Sequence, residues 1–235
     1  MPRKFQTIEL LPDRPPYSPE LVESLALRGL NCGSARSLFP NWMNTDLAHL
    51  RTWDDAETQP GRIAKIDGDL YYLEFDSRNP YPFEDESFDW IYSEHFIEHL
   101  TLEEGISWLA EVRRLLKPGG RARLSTPDLQ RYIEGYLDPG NGFFAEHREQ
   151  LSRLRAFKEA GVPDRPAWMV NQIFHRWKHK WIFDFAELAY AGACAGFDPA
   201  AVTRRTFGEG ADPDVAALDN PGRSDESLYV EMTRT

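Results

Sequence analysis

The stretch FDWIYSEHFIEHL, from Phe88 to Leu100, carries the strongest fold signal in the chain. Its first half is apolar and aromatic, as in a buried strand, and it then changes within three residues into a group of acids and imidazoles. Glu94 and His95 fall where this strand ends, and the spacing of the next residues is helical. A strand that leads into a polar cluster and a helix is typical of α/β proteins, whose ligands bind at the carboxyl ends of strands.

Short apolar runs alternate with helical segments on both sides of this stretch. Three strands precede it in RGLNC, WMNTDL and DLYYLEFD, and a fifth strand follows in RARLSTP. The segment TLEEGISWLAEVRRLLKPGG has the apolar spacing of an amphipathic helix, with a capping-box pattern at Thr101 and Glu104. A further helix in DFAELAYAGACAG comes before two last strands, AVTRRTF and SLYVEMT. This alternation predicts a parallel, doubly wound sheet.

Two segments depart from the alternation of strands and helices. Residues 1–28 form a proline-rich arm and a short helix, for which Ser18 is the expected N-cap and Pro19 the first helical residue. Residues 128–180 contain helical segments rich in charged and aromatic residues, and this block is too long for an ordinary connection. We expect one domain over residues 1–235, with 128–180 as a lid or substrate-recognition insert.

The composition excludes several classes of protein. Lys and Arg total 27 against 38 Asp and Glu, and the resulting net charge of -11 opposes binding to phosphate backbones and anionic membranes. The two cysteines, Cys32 and Cys194, are too few for a disulfide framework, and no apolar stretch has the length of a membrane span. We expect a cytoplasmic protein that binds neither nucleic acid nor membranes. It would be a monomer or homodimer, with a partner protein as a further option.

Several of these segments together resemble the class I S-adenosylmethionine-dependent methyltransferases, in particular the methyltransferase type 11 group. The ordered series PFEDESFD, EH and LLKPGG carries the resemblance, together with LNCGSA, WMNTD and the closing ESLYVE. The resemblance implies a Rossmann-like, doubly wound, mostly parallel sheet of seven strands, with an antiparallel last strand and a helical insert after strand 5. It also implies methyl transfer to an O, N or C nucleophile of a small molecule, such as a natural-product or glycan-type metabolite, which leaves S-adenosylhomocysteine.

The resemblance further implies which residues contact the cofactor. In that family the loop after the first strand passes beneath the methionine part of the cofactor, and Gly33 takes this position here. Acids that end the second and third strands accept from the ribose and the adenine, and Asp46 and Asp76 match them. The full predicted set is Asn31, Cys32, Gly33, Ser34, Asp46, Leu47, Asp76 and Ser93. Because Asp46 follows Gly33 by only 13 positions, we expect a very short first crossover helix.

Glu94 and His95 are the predicted catalytic residues, because the resemblance puts the end of the fourth strand beside the transferring methyl group. His95 could act as a general base on the acceptor. Alternatively, His95, Glu98 and His99, at i, i+3 and i+4 of one helical face, could hold a divalent metal. In a third interpretation, Glu98 and His99 only cap and orient the helix. Of the three, we expect His95 as the acceptor-facing residue and a site without a metal.

The insert is expected to contribute residues to the mouth of the site. The candidates lie in FHRWKHKW, namely His175, Trp177 and His179. A second function stays open because the first loop has a single glycine, Gly33. It is a methyltransferase-fold protein that does not transfer methyl, either a cyclase-like catalyst or a partner subunit that binds cofactor or substrate. RNA methylation is disfavoured by the acidic charge.

Overall fold

The computed structural model describes residues 5–153 and 161–235, so residues 1–4 of the predicted arm and 154–160 of the predicted insert lie outside the described residues. One sheet of nine strands forms the centre of the described part, in the order β1-β4-β5-β3-β2-β6-β7-β9-β8. The strands are β1 (Ile8–Leu10), β2 (Gly29–Cys32), β3 (Trp42–Asp46), β4 (Ile63–Ile66), β5 (Leu70–Glu74), β6 (Phe88–Glu94), β7 (Leu116–Pro127), β8 (Val202–Arg205) and β9 (Ser227–Thr233).

Seven α-helices accompany the sheet in the described residues. They are α1 (Pro19–Ser24), α2 (Leu102–Leu115), α3 (Leu129–Leu137), α4 (Phe143–Arg153), α5 (Pro166–His175), α6 (Phe185–Cys194) and α7 (Pro213–Ala216). Within the same residues, none of these helices has the length and apolar character needed to cross a membrane.

The strand directions are those of the predicted doubly wound sheet. The central strands β5, β3, β2, β6 and β7 run parallel, and β9 lies antiparallel between β7 and β8, which confirms the predicted antiparallel last strand. The expected number of seven strands was too low, because β1 and β4 extend the edge beyond β5 by antiparallel pairing. Strand β1 has only three residues and pairs Ile8 with the distant Ile66, so no local pattern predicts it. Strand β4 forms a hairpin with β5 across the turn at Asp67 and Gly68, and this local signal was missed.

The predicted helix boundaries follow from local capping chemistry. The capping box at the start of α2 is present, with Oγ1 of Thr101 accepting from the amide of Glu104 at 3.2 Å and Oε2 of Glu104 accepting from the amide of Thr101 at 2.8 Å. The apolar stripe of α2 then packs with α6 on one face of the sheet, where Trp108, Leu109 and Leu188 are buried.

The first crossover, from β2 to β3, contains no helix: residues 33–41, all of them described, form turns and irregular backbone. The expected very short helix is therefore wrong. Two buried amides hold the loop instead, since Nδ2 of Asn31 donates to the carbonyl of Ser37 at 2.8 Å and to Oδ1 of Asn44 at 2.9 Å. Oδ1 of Asn44 also accepts from the amide of Phe39 at 2.9 Å. These bonds supply the backbone partners that a helix would otherwise provide.

The segment after β7 forms a small helical layer with an apolar cluster of its own. The cluster consists of Tyr132, Phe143, Phe144, Leu151, Met169, Ile173 and Ile182. Because α3 starts directly after the carboxyl end of β7, this layer lies beside the carboxyl ends of the parallel strands. That edge of the sheet is where ligands of doubly wound folds bind.

Candidate active site

A cavity of about 650 Å³ opens between the carboxyl ends of the parallel strands and the helical layer. Arg36 enters it from the loop after β2, His95 and His99 from the segment after β6, and Tyr132 and Gln172 from the helical layer. Its volume lies in the ordinary range of small-molecule sites. The cavity thus brings together residues from four separate parts of the chain, the fourth being the segment 220–226.

Both ring nitrogens of His95 are engaged. The side chain is buried, and its Nε2 lies 2.7 Å from Oγ of Ser227, while the guanidinium of Arg223 donates to Nδ1 at 2.9 Å. Oγ of Ser227 donates in turn to the carbonyl of Arg223 at 2.7 Å. Because a guanidinium can only donate, Nδ1 of His95 is the acceptor and Nε2 carries the proton. The arrangement therefore holds the imidazole ring in one orientation at the cavity wall.

The backbone around His95 differs from the single helical face expected from the sequence. His95 has a positive φ of 47°, only Ile97–His99 forms a 3-10 turn, and α2 does not begin until Leu102. Leu100 is extended, and Thr101 has the extended backbone that an N-cap residue adopts, so the two residues separate the 3-10 turn from α2. The interpretation of His95, Glu98 and His99 as one helical face is wrong. A left-handed residue in a non-glycine position is a local strain of the kind found at functional sites.

A buried carboxylate lies behind this turn, surrounded by imidazoles. Glu98 is 0% exposed, its Oε2 accepts from Oγ1 of Thr126 at 3.1 Å, and its Oε1 lies 3.4 Å from Nδ1 of His95. The rings of His99 and His179 approach to 5.0 Å between centroids. Burial lowers the pKa of His179 more than the negative charge of Glu98 raises it, which favours the neutral imidazole.

Glu94 ends β6 beside His95 and is also shielded from water. Its Oε2 accepts from the hydroxyl of Tyr92 at 3.3 Å, and its Oε1 lies 4.0 Å from Nε of Arg223. Burial raises the pKa of Glu94, although the positive charge of Arg223 opposes that rise. A carboxyl group with this balance can exchange protons closer to neutral pH than an exposed glutamate.

The end of β3 has the features that the ribose of the cofactor would need. Oδ2 of Asp46 accepts from the amide of Ala35 at 2.9 Å and Oδ1 accepts from the amide of Ala48 at 3.0 Å. Each carboxylate oxygen keeps acceptor capacity for a hydroxyl. Oγ of Ser34 is buried and has no hydrogen-bond partner among the described residues, and the side chain of Leu47 is 66% exposed. Asp46 and Ser34 thus offer contacts for a polar ligand group, and Leu47 offers a surface for a flat apolar group, at the same edge of the sheet.

Four other predicted cofactor residues have structural contacts in this conformation. Nδ2 of Asn31 holds the first loop, and Oγ of Ser93 donates to the carbonyl of Cys32 at 3.3 Å. Burial raises the pKa of the Cys32 thiol to about 12, so this cysteine is not a nucleophile at neutral pH. Gly33 has a φ of 64°, and an added Cβ would lie 2.5 Å from the ring of Phe96. The glycine is therefore required by its backbone and by Phe96.

Asp76 is held by its own loop. The guanidinium of Arg78 donates to both carboxylate oxygens, with Nε 2.9 Å from Oδ1 and 3.1 Å from Oδ2. This hydrogen bonding lowers the pKa of Asp76. An adenine amino group would therefore share this carboxylate with Arg78 or displace the Arg78 guanidinium from it.

The three residues predicted from the insert lie in different surroundings. Trp177 and His179 line the cavity, whereas His175 is exposed at the end of α5. Nδ1 of His179 donates to the carbonyl of Ile173 at 2.7 Å, which leaves its Nε2 as the acceptor.

Sequence reasoning missed several cavity residues. Arg223 and Glu226 lie in the segment before β9, and the hydroxyl of Tyr132 donates to Oε2 of Glu226 at 2.6 Å. The segment ESLYVE, which begins with Glu226 and Ser227, was a usable signal, because its first two residues precede or begin a strand that ends beside the site. Arg223 lies in a short 3-10 turn that gives no such signal.

The sheet order, the antiparallel β9 and the polar cavity at the carboxyl ends of the parallel strands agree with the Rossmann-like fold implied by the resemblance to class I methyltransferases. Residues 30–124 match the family model described as the methyltransferase domain. These residues, less than half of the chain, are thus similar to methyltransferase domains of the type 11 group, and the methyl donor of that class is S-adenosylmethionine.

Comparisons with other proteins give distant likenesses. No curated protein matches the chain. Among solved structures, the CurJ carbon methyltransferase is 13% identical with a TM-score of 0.42, over 97% of this chain and 50% of that one, so the chain spans half of its length. A methyltransferase from Archaeoglobus fulgidus is 13% identical (TM-score 0.45; 88% and 86% covered), and one from Mesorhizobium loti is 16% identical (TM-score 0.44; 92% and 98% covered). Likenesses at this level carry no information on the substrate.

Proposed function

We propose that this protein transfers the methyl group of S-adenosylmethionine to an O, N or C nucleophile of a small molecule, such as a natural-product or glycan-type metabolite, bound in the cavity. The observation that carries the proposal is the cavity of about 650 Å³, which lies at the strand ends of a methyltransferase domain and is bounded by the helical layer. A cavity of this size suits a small acceptor better than a polymer. The net charge of -11 argues in the same direction, against RNA.

The cofactor supplies a methyl group on a positively charged sulfur. The acceptor atom forms a bond to the methyl carbon, the carbon–sulfur bond breaks, and its electron pair stays on sulfur in S-adenosylhomocysteine. The proton of an O–H or N–H acceptor goes to a base on the protein. The displacement itself needs little covalent help, so positioning the acceptor and removing its proton are the tasks left to this chain.

In this proposal Asp46 holds the ribose, the loop of Asn31, Cys32, Gly33 and Ser34 passes beneath the methionine part, and Leu47, Asp76 and Ser93 complete the cofactor site. Asp46 has acceptor capacity left on both carboxylate oxygens, as described above. His95 and Glu94 face the acceptor. Nδ1 of His95 becomes available as a base when the guanidinium of Arg223, whose side chain is 45% exposed, turns toward another partner. The insert 128–180 closes over the acceptor as a lid, with Trp177 and His179 at its inner edge.

Asp46→Ala tests the cofactor part of the proposal. The change removes two charge-assisted hydrogen bonds to the ribose, and we expect a loss of roughly 2 to 4 kcal/mol, or about 30- to 1000-fold in S-adenosylmethionine affinity by calorimetry. Asp54→Ala is the matched control, since Asp54 is an exposed aspartate and its loss changes the net charge equally. Unchanged affinity in a folded Asp46→Ala protein would contradict the assignment.

A non-methylating role is the second candidate, and the single glycine in the first loop favours it. The two functions differ in one measurement. A methyltransferase incubated with a panel of small acceptors forms S-adenosylhomocysteine in step with methylated product. A cyclase-like catalyst forms product without it, and a partner subunit forms neither.

A further inference from the structure

We propose that Glu98, His99 and His179 form a binding site for one divalent first-row cation of the zinc type, on the wall of the cavity. One ligand atom from each of these residues lies within 4.8 Å of the other two. Tetrahedral ligands bound at about 2.1 Å lie roughly 3.4 Å apart, so binding needs the ligand atoms to approach one another by up to about 1.4 Å. This set departs from the metal-free site expected from the sequence. Compared with the alternative set of His95, Glu98 and His99, it contains His179, 84 positions further along the chain, in place of His95.

An unpartnered buried oxygen is the second observation that points to a cation. Glu98 is 0% exposed, and its Oε1 has no hydrogen-bond partner among the described residues. His95 does not fill this gap, although its Nδ1 is 3.4 Å away, because that nitrogen accepts from Arg223 and has no proton to give. A buried carboxylate oxygen without a donor is costly, and a bound cation removes the cost.

The imidazole of His179 is oriented as a ligand. Its Nδ1 donates to the carbonyl of Ile173 at 2.7 Å, so the lone pair is on Nε2. A hydrogen bond from the second ring nitrogen to a carbonyl is the usual way in which proteins orient a metal-binding histidine. The backbone also holds the two halves of the site together, since the amides of Lys180 and Trp181 both donate to the carbonyl of Glu98, at 2.7 Å and 3.2 Å.

The donor types select the kind of cation. Two imidazoles with one carboxylate suit Zn²⁺, Co²⁺, Ni²⁺ or Fe²⁺ better than Mg²⁺ or Ca²⁺, which prefer oxygen ligands. Three protein ligands leave at least one coordination position for water or another ligand. Because His99 and His179 line the cavity, that position opens toward it. If the proposed function holds, an oxygen or nitrogen of the acceptor can occupy it; cation binding itself does not depend on that function.

Titration of chelator-treated protein with Co²⁺, followed by its visible absorption and by competition with Zn²⁺, tests the site without any acceptor. We expect one Co²⁺ per chain, displaced by Zn²⁺. His99→Gln, His179→Gln and Glu98→Gln should each weaken binding by about 100-fold or more, since each removes a ligand. His175→Gln and His49→Gln are the controls: His175 is exposed near the site, and His49 bridges Glu57 and Glu74 on another surface. Both should bind as the wild type does.

Affinity for S-adenosylmethionine, measured on the same variants, separates this proposal from the proposed function. We expect His99→Gln and His179→Gln to keep that affinity and the wild-type circular dichroism, while Co²⁺ binding falls. If Glu98→Gln does not fold, the two histidine variants decide. The proposal is overturned if wild-type protein binds no Co²⁺ or Zn²⁺, if the three ligand variants bind as the wild type does, or if His49→Gln alone abolishes binding.

Discussion

At the scale of single residues, His95 has both well-defined hydrogen-bond contacts and a proposed catalytic role. Ser227 and Arg223 hold its two nitrogens at 2.7 Å and 2.9 Å, and its left-handed backbone aims the ring at the cavity. These contacts serve a purely structural histidine equally well. The two roles predict different effects of removing the ring on turnover, on cofactor affinity and on the recovery of turnover by added imidazole.

We expect His95→Ala to reduce turnover about 100- to 10000-fold while affinity for S-adenosylmethionine stays nearly constant, because a base acts mainly on the transition state. Formation of S-adenosylhomocysteine with an acceptor from the panel measures the first, and calorimetry the second. His175→Ala, an exposed histidine, should leave both unchanged. Partial recovery of the His95→Ala turnover by added imidazole would support a proton-transfer role. A parallel loss of cofactor affinity and folding stability, without such recovery, would show that His95 is structural.

At the scale of elements, a buried ion cluster joins β7 and β9 to the long connection before β9. Arg123 is 0% exposed; its Nε donates to Oδ1 of Asp219 at 2.9 Å, and its terminal nitrogens reach Oε1 of Glu231 at 3.1 Å and the carbonyl of Glu209 at 3.0 Å. Every contact crosses to a distant part of the chain. The cluster therefore determines how residues 206–219 lie on the sheet.

Arg123→Met should destabilise the protein by roughly 3 to 5 kcal/mol, because it leaves the buried carboxylate of Asp219 without its cation and Glu231 with Arg205 alone. Urea unfolding followed by circular dichroism measures the change. Arg121→Met, two residues earlier on the same strand and only partly buried, is the matched control and should change stability by about 0.5 kcal/mol or less. Equal stability of the two variants would mean that the cluster is dispensable.

Local signals explain which elements could be predicted from the sequence. Neighbouring residues alone predict the Ser18 cap, the Thr101–Glu104 capping box and the central strands. The structure contains all of these features. Strand β1 was missed because its partner β4 is far away in sequence, whereas β4 was missed although it forms a local hairpin with β5, with Ile66 paired to Leu70. The same limit applies to the site: Glu98 and His99 were visible as a pair, but their approach to His179 depends on backbone bonds from Lys180 and Trp181 to Glu98.

At the scale of the whole molecule, the helical layer and the sheet have separate apolar cores, and Tyr132, Leu151 and Ile173 of the layer's core line the cavity. Polar contacts hold them together at its border, including Tyr132 to Glu226 and the Lys180 amide to the carbonyl of Glu98. A layer with its own small core and polar attachments opens at lower free energy than the sheet does. Ligand in the cavity would bridge the two parts.

We therefore predict that S-adenosylhomocysteine together with an acceptor, a pair that cannot react, slows amide hydrogen exchange in α3 and α5. At ligand concentrations of 100 times the Kd, protection should rise by up to about 100-fold where opening exposes the site, since binding stabilises only the closed form. The amides of α2, which packs with α6 on one face of the sheet, are the internal reference and should exchange at the same rate with and without ligands.

Equal exchange in α3 and α5 under both conditions would show that the helical layer does not move on ligand binding. The proposed lid role would then fail, while binding in the cavity could still stand. Protection by S-adenosylhomocysteine alone, without further change on adding the acceptor, would assign the layer to the cofactor rather than to the acceptor, because the ligand that closes a lid is the one whose contacts differ between its open and closed states.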